Sequence, residues 1–450
     1  METKNAIDNY INIICEKIKY KPIRKDIANE IKNHIEEEKE SYMLLEKDEK
    51  KAEEQVLLNM GDPNDIGQSL NKIHRPKLDF KLLIIGIFMI LFSLLITYPL
   101  SNSIYKYYLG SDKWFIKNII YIAFAIILGI VIYFFDYTKL RKKSMVIYFI
   151  STCIGILSIF LNFNQCNSSY INIPILNINI LTVDLIVPLY ILSFAGFFNI
   201  SKKSNTIITT FLAIFSLTIV SFCNSLIYLI ILFISYVSIF IIEVFKSEKY
   251  SKKYKHVSSI ILSIICACTI TLFILKYTPY RIQIGKTTIN PNDKNMYEYQ
   301  MSSRKKVLKN SKIIGATNLN GNLSDEIAIK DWAYNLQYAE SSETLIFIIG
   351  KYGILIGTII LLCIFYLSSR IINDIKNIKD SYGKYIMIGF ATMIITQSIL
   401  HVLSNLCLID VNSATLPLIS YSCFGIIINA IIVSTILSIY RRKDILIVNN

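Results

Sequence analysis

The chain has 450 residues, of which 53% are apolar and only 18% are Asp, Glu, Lys or Arg, and its mean hydropathy is +0.47. Soluble domains carry about 25% charged residues, so most of this chain is not built to face water. Disorder, collagen and a disulfide scaffold are excluded by the abundance of Ile, Leu, Phe and Tyr and by nine cysteines without regular spacing. Residues 1–79 hold 14 Lys/Arg against 17 Asp/Glu, net −3, and the remainder is net +17. A slightly acidic soluble head therefore precedes a basic, apolar body. Met1 to Tyr20 is charged throughout and does not read as a secretory leader.

In the head, Ile7, Ile11, Ile14 and Ile18 fall at helical spacing, and Ile23, Ile27, Ile31 and Ile35 repeat the stripe on a second segment. Pro22 suits the first turn of that second helix, and Glu36 to Lys51 holds its polar end and a loop. A third helix, with Ala52, Val56 and Met60 inward, stops at Gly61. Asp62 caps a fourth that begins at Pro63 and carries the stripe Ile66, Leu70 and Ile73. Such stripes need partners, so residues 1–76 are expected to form a small cytoplasmic helical bundle. His34, beside the Ile31/Ile35 stripe, has no second His or Cys at ligand spacing and reads as a surface histidine. The runs "RKDIANEIKNHIEEE" and "NMGDPNDIGQSL" resemble the helical prefix domain found ahead of many bacterial permeases.

A bilayer core of about 30 Å takes about 20 apolar helical residues. From Leu78 onward ten such stretches occur, near 80–99, 115–135, 144–163, 174–198, 205–221, 224–245, 257–276, 343–369, 384–409 and 415–440. Lys139, Arg141, Lys142 and Lys143 follow the second; Lys202 and Lys203 the fourth; Lys246, Lys249, Lys252, Lys253 and Lys255 the sixth. Arg370, Lys376 and Lys379 follow the eighth, and Arg441, Arg442 and Lys443 the tenth. All these clusters fall on one side. The positive-inside rule makes that side cytoplasmic, puts both termini inside, and assigns the positive charge to topology rather than to nucleic acid.

The connection 277–342, 66 residues long, lies outside between the seventh and eighth stretches. Loops of this length usually carry function. It is basic, with Arg281, Arg304, Lys305 and Lys306 among its cations, which reads either as an anion site or as a solvated basic surface. Within the apolar stretches Asp184, Lys351, His401 and Asp410 stand out, because ionisable groups are costly in a bilayer. For His401 and Lys351, interhelical hydrogen bonding or snorkelling accounts for the placement. Only Cys166 sits on an outer loop, so no disulfide is expected within the chain, and Cys266 and Cys268 read as small packing residues.

The segment "QSILHVLSNLCLIDVNSATLPLISYSCFGIIINAIIVSTILSIYRRK" resembles, without a gap, the C-terminal signature of the SEDS family, the RodA/FtsW/SpoVE-type proteins of cell shape, division and sporulation. Gln397, Asn405, Pro417, Ser420 and Tyr421 fall on that family's pattern. "YRIQIGKTTINPNDKNMYEYQMSS" is similar to the start of the family's outer loop, at Tyr280, Arg281, Asn290, Pro291, Tyr299 and Gln300, and "FFDYTKL" to its Asp-Tyr-x-x-Leu at Asp136, Tyr137 and Leu140. The resemblance covers residues 80–443. It implies an all-α polytopic fold of about ten transmembrane helices in the bacterial plasma membrane, following the head.

The resemblance also implies a peptidoglycan glycosyltransferase that polymerises lipid II at the outer membrane surface, beside a class B penicillin-binding protein and among membrane lipids, with no nucleic acid partner. Such chemistry needs a carboxylate base for the acceptor hydroxyl. It also needs Lys, Arg or a divalent cation, Mg or Mn, for the departing diphosphate. The family's essential aspartate is absent here, where the chain reads "YAESSETLIFIIGKYGILIG". Alignment on Gly350 and Gly357 brings Glu343 to its place, alignment through Gly353 and Gly357 brings Ser342 there, and Glu340 is the nearby alternative. Acids are also favoured at any helix N-terminus by the dipole, without a catalytic role. The implied site thus has Glu343 or Glu340 as base or cation ligand, Arg281, Arg304, Lys305 and Lys306 for the diphosphate, and Asp184, Gln397, Asn405, Ser420 and Tyr421 lining the cavity. Other departures are "VSFCNS" near Ser221 to Ser225, Asp184 without the lysine of its motif, and Ser422-Cys423 in place of Gly-Gly. A non-catalytic homologue acting as scaffold or regulator of a synthase, and a transporter of lipid-linked precursors, are the competing readings. No internal repeat symmetry of the kind transporters show is present.

Overall fold

The computed structural model describes residues 2–46, 49–101, 114–161, 170–173, 178–200, 206–223, 225–246, 291–317, 336, 341–409, 415–419 and 423–444. The head is built from α1 (Glu2–Lys17), a 3-10 turn (Lys21–Ile23) holding Pro22, α2 (Arg24–Glu46), α3 (Glu49–Met60) and α4 (Pro63–Ile73). Its core is the pair of isoleucine stripes. Ile14, Ile18, Ile23, Ile27 and Ile35 are buried, joined by Tyr10 and Val56. Asp62 caps α4, its side chain accepting the Asn64 N–H at 2.9 Å after Gly61 has turned the chain at φ +88°.

One element of the stripe lies elsewhere than its spacing suggests. Ile73 is 54% exposed. The face of α4 that meets α1 is fixed by Gly67, where an added Cβ would lie 2.8 Å from Lys17 Cβ and 3.0 Å from the Ile14 carbonyl oxygen. Six residues at about 100° each leave Ile73 roughly 120° round from Gly67, off the contact face. The same compact unit takes in residues 377–380 and 439–450. There the Lys77 N–H donates to the Arg441 carbonyl at 3.3 Å, His74 Nδ1 lies 2.8 Å from the Asp444 carbonyl, and Lys77 Nζ is 2.8 Å from the Asp444 carboxylate. His34 is exposed, its Nδ1 3.8 Å from Glu38 one turn along the same helix.

The second unit spans 80–376 and 381–438. It contains α5 (Phe80–Ser101), α6 (Trp114–Phe134), α7 (Thr138–Arg141), α8 (Ser144–Leu161), α9 (Thr182–Ile200), α10 (Thr206–Phe222) and α11 (Leu226–Lys246). After these come α12 (Pro291–Asn310), α13 (Thr344–Tyr352), α14 (Ile354–Ile375), α15 (Ser381–Asn405) and α16 (Cys423–Arg441). Among the described residues, α6, α8, α11, α14 and α15 are long and apolar enough to cross a membrane, and α5, α9, α10 and α16 contain shorter apolar stretches. Nine of the ten expected spans coincide with these helices. The remaining one, 257–276, lies outside the described residues, as do Cys166, Cys266, Cys268 and Asp410.

Three expected spans differ in detail. The fourth begins at Thr182 rather than 174, because Tyr170–Ile173 (β1) and Ile178–Leu181 (β2) pair antiparallel as Tyr170↔Leu181 through Ile173↔Ile178. Asn and Ile alternate through this stretch, a period of two that suits a strand. The tenth helix begins at Cys423 rather than 415; a turn at Pro417–Ile419 precedes it, with Leu418 at φ 65°. The eighth is broken. Gly353, at φ +100° and ψ 167°, separates α13 from α14 in a backbone region that is essentially reserved for glycine.

Burial sorts the helices into inner and outer. Of the apolar window of α15, 67% is buried, against 22% for α6, so α15 is an inner helix and α6 turns most of its surface outward. The outward residues of α6 include Ile116, Ile120, Phe124, Ile127 and Val131. Around α15 pack α9, α11, α13 and α14.

Candidate functional site

α12 has one buried and one exposed face. Ser303, Arg304 and Val307 are buried, at spacing that keeps them on one side, while Lys305, Lys306 and Lys309 are exposed. The chain then runs as a clip along the break at Gly353. Lys312 and Ile313 carbonyls accept the N–H groups of Ile354 and Leu355 at 3.0 and 3.1 Å, and Gly315 and Thr317 donate to Tyr352 and Gly350 at 3.0 and 2.8 Å. A side chain at 353 would meet the Ile313 carbonyl at 2.6 Å, which is why the position is glycine.

The clip and α12 bring Arg304 to the start of α13. Arg304 Nε donates to Glu343 Oε1 at 2.6 Å; the arginine side chain is 5% exposed and the glutamate 0%. Taking two charges out of water costs several kcal/mol each, and this is offset only when they meet in good geometry, as a short charge-assisted hydrogen bond provides. Glu343 is the residue that precedes α13, yet it makes no side-chain cap to that helix. The cap comes from α15: Asn405 Oδ1 accepts the Ile346 N–H at 3.2 Å, while its Nδ2 donates to the carbonyls of Ser342 and His401, both at 2.9 Å. Thr344 Oγ1 donates to the Ser341 carbonyl at 2.8 Å.

Gln397, His401 and Asn405 follow one another at four-residue spacing on α15, and all three are buried. Gln397 Nε2 donates to the Thr415 carbonyl at 2.8 Å, tying α15 to the turn that precedes α16. Among the described residues Gln397 Oε1 is buried without a partner. Asp184, in the first turn of α9, is buried and accepts a hydrogen bond from Tyr228 on α11; its second oxygen has no partner among the described residues. Lys351 is exposed in the last turn of α13.

The structure thus joins Arg304 to Glu343 directly, with Asn405 capping the helix that Glu343 precedes, and leaves Lys305 and Lys306 exposed on α12. Asp184 bonds to α11 and not to this cluster. Arg281, Glu340, Ser420 and Tyr421 lie outside the described residues. The capping role of Asn405 and the pairing of Arg304 with Glu343 have no sequence signal beyond the presence of the residues, since 59 and 39 positions separate the partners. A divalent cation is a poor fit to the described donors. No group of three or more His, Cys, Asp or Glu residues is present among them, and Glu343 Oε1 is already held by a guanidinium.

No protein-family model and no curated protein matches the sequence. Solved structures do. A chain from a peptidoglycan synthase complex, determined to explain the coordination of polymerization and crosslinking, aligns with a TM-score of 0.58 at 12% identity, over 81% of this chain and 98% of that one. The rod shape determining protein RodA of Thermus thermophilus aligns with a TM-score of 0.52 at 11% identity, over 81% of this chain and 97% of that one. An aspartate-to-alanine variant of the same RodA gives 0.52 at 12% identity, over 81% and 98%. The chain therefore has the polytopic helical fold of RodA and is a multi-pass membrane protein.

Proposed function

We propose that this chain is a SEDS-type peptidoglycan glycosyltransferase of the bacterial plasma membrane that polymerises lipid II on the outer surface. The observation that carries the reading is a carboxylate paired with a guanidinium at the outer-loop end of α13, within a RodA fold. In the reaction an acceptor sugar hydroxyl attacks the anomeric carbon of the donor, forming a new C–O bond. The bond from that carbon to the diphosphate breaks, and undecaprenyl diphosphate leaves with the electron pair. The acceptor's proton passes to Glu343, the base. Because Glu343 has no exposed surface, the acceptor reaches it only when the packing around the Arg304–Glu343 pair opens.

The same enclosure favours a second reading, a non-catalytic homologue in which the ion pair is structural and the chain recruits a synthase. Polymerisation of lipid II by the purified protein separates the two. Activity in the parent, abolished in Glu343→Gln and kept in Glu343→Asp, supports the enzyme. An inactive parent under conditions where RodA is active supports the scaffold, and full activity in Glu343→Gln removes this residue from the mechanism. A class B penicillin-binding protein is the expected partner, as the synthase-complex likeness suggests.

We place both termini in the cytoplasm. Residues of the head, of the 377–380 turn and of the C-terminal segment belong to one compact unit, which supports a common side for all three. Thiol labelling in intact cells tests this. Cys15 is a poor target, because burial pushes its thiol up and its Sγ faces the Arg24 carbonyl, so a cysteine at the exposed Glu36 serves better. Protection of Glu36→Cys from an impermeant reagent is expected, with labelling only after lysis.

A further inference from the structure

We infer that Arg304 stands where a divalent cation would stand in this site: its Nε holds Glu343, and its two terminal nitrogens receive the diphosphate of the lipid substrate, so that diphosphate binding is independent of metal. The inference rests on the glycosyltransferase reading for the identity of the ligand.

Three observations carry it. The first is the donor set. Mg and Mn are held by several oxygen ligands, carboxylates foremost, yet Glu343 is the one carboxylate the described residues bring to this cluster, and it is committed to Arg304. The second is the geometry of the pair. A guanidinium presents five N–H donors in a planar fork, and contact through Nε spends one. Among the described residues no other hydrogen bond engages this group, so the terminal edge of the fork, the part that matches two phosphate oxygens at once, is left over. A lysine in the same place cannot hold the glutamate and span two phosphate oxygens at once.

The third is charge. The Arg304–Glu343 pair is neutral as a unit, so an arriving diphosphate is held by directed hydrogen bonds and not by a surplus of buried charge. Lys305 and Lys306, adjoining but exposed, add a screened attraction at most. When the anomeric C–O bond breaks, the electron pair settles on a diphosphate oxygen facing the guanidinium, and the proton leaving the acceptor goes to the carboxylate the same guanidinium holds. One side chain thereby sits next to both charges that change in the step.

Binding of undecaprenyl diphosphate to the purified full-length protein in detergent tests this without requiring turnover. The expected dissociation constant is the same within about twofold in EDTA and in millimolar Mg or Mn. Arg304→Lys is expected to weaken binding by about tenfold in both conditions, through loss of one charge-assisted hydrogen bond. The double variant Arg304→Met with Glu343→Met replaces the buried pair by apolar side chains of similar volume, a change that often leaves folding intact. It is expected to keep its melting temperature and lose binding by about 100-fold, the worth of two such bonds.

Loss of parent binding in EDTA with recovery in Mg or Mn overturns the inference. So does parent-like binding by the folded double variant, or by Arg304→Lys, or failure of the parent to bind in every condition. A parent that binds metal-independently but does not polymerise lipid II leaves this inference standing and removes the proposed activity instead.

Discussion

The head and the membrane body use the same side chain with opposite sense. Ile14 and Ile35 in the head are 0% exposed, whereas Ile120 and Ile127 on α6 are 58% and 59% exposed. In the head, water drives isoleucine inward and the interior is almost purely aliphatic. In the body the outward isoleucines face lipid, which is as apolar as they are, and the interior collects polar groups: Gln397, His401, Asn405, Glu343 and Arg304. An interior of isoleucine specifies a packed bundle. A buried polar interior has to be satisfied bond by bond, and that requirement is what builds a site.

The largest effect should come from unbalancing the body's interior. Arg304→Met alone leaves the Glu343 carboxylate enclosed without its cation and is expected to cost about 3–5 kcal/mol, with most of that recovered when Glu343→Met is added. Thermal unfolding of the purified protein reads both, and equal melting temperatures for parent and Arg304→Met would mean that water already reaches the pair.

The mirror experiment tests the isoleucines. Ile35→Ala in the head is expected to cost about 2–5 kcal/mol, measured as faster proteolysis or hydrogen exchange in α1–α4. Ile127→Ala on the outer face of α6 should stay within about 0.5 kcal/mol. Comparable losses at the two positions would show that the outward face of α6 is covered by protein. Gly353→Ala comes next, at about 1–3 kcal/mol for the glycine-only backbone, and more if the clip cannot shift away from the new Cβ. Hydrogen exchange at Ile354 and Leu355 should rise first. The smallest expected change is Asp62→Ala, about 1 kcal/mol for one lost cap, confined to α4.

Much of the fold was open to reading because lipid and water both leave periodic marks. The isoleucine stripes of α1 and α2 gave the head, and apolar length with basic clusters gave the spans. Two features resisted. The break at Gly353 falls inside an apolar run that Lys351 alone interrupts with a charge, so length merges α13 and α14; the reason for the break is the clip from Lys312 to Thr317, far away in sequence. The β1–β2 hairpin lies against a span whose hydropathy hides its alternation. Of the site, Glu343, Arg304 and Asn405 were each legible as single residues. Their partners were not, because nothing in the chain links an arginine to a glutamate 39 positions on, or an asparagine to the helix it caps 59 positions back.

The clip also fixes a pivot. α12 is 20 residues long and ends two residues before Lys312, where the backbone is hydrogen bonded to α14. Arg304 lies about 10 Å along the helix from that anchor and Pro291 about 30 Å, at 1.5 Å per residue. A tilt of about 10° would carry Arg304 roughly 2 Å, enough to part it from Glu343, while the far end of α12 swept about 5 Å. The outer segment is therefore a lever with the ion pair near its fulcrum. Whatever grips its distal end acts on the ion pair with a mechanical advantage of about three.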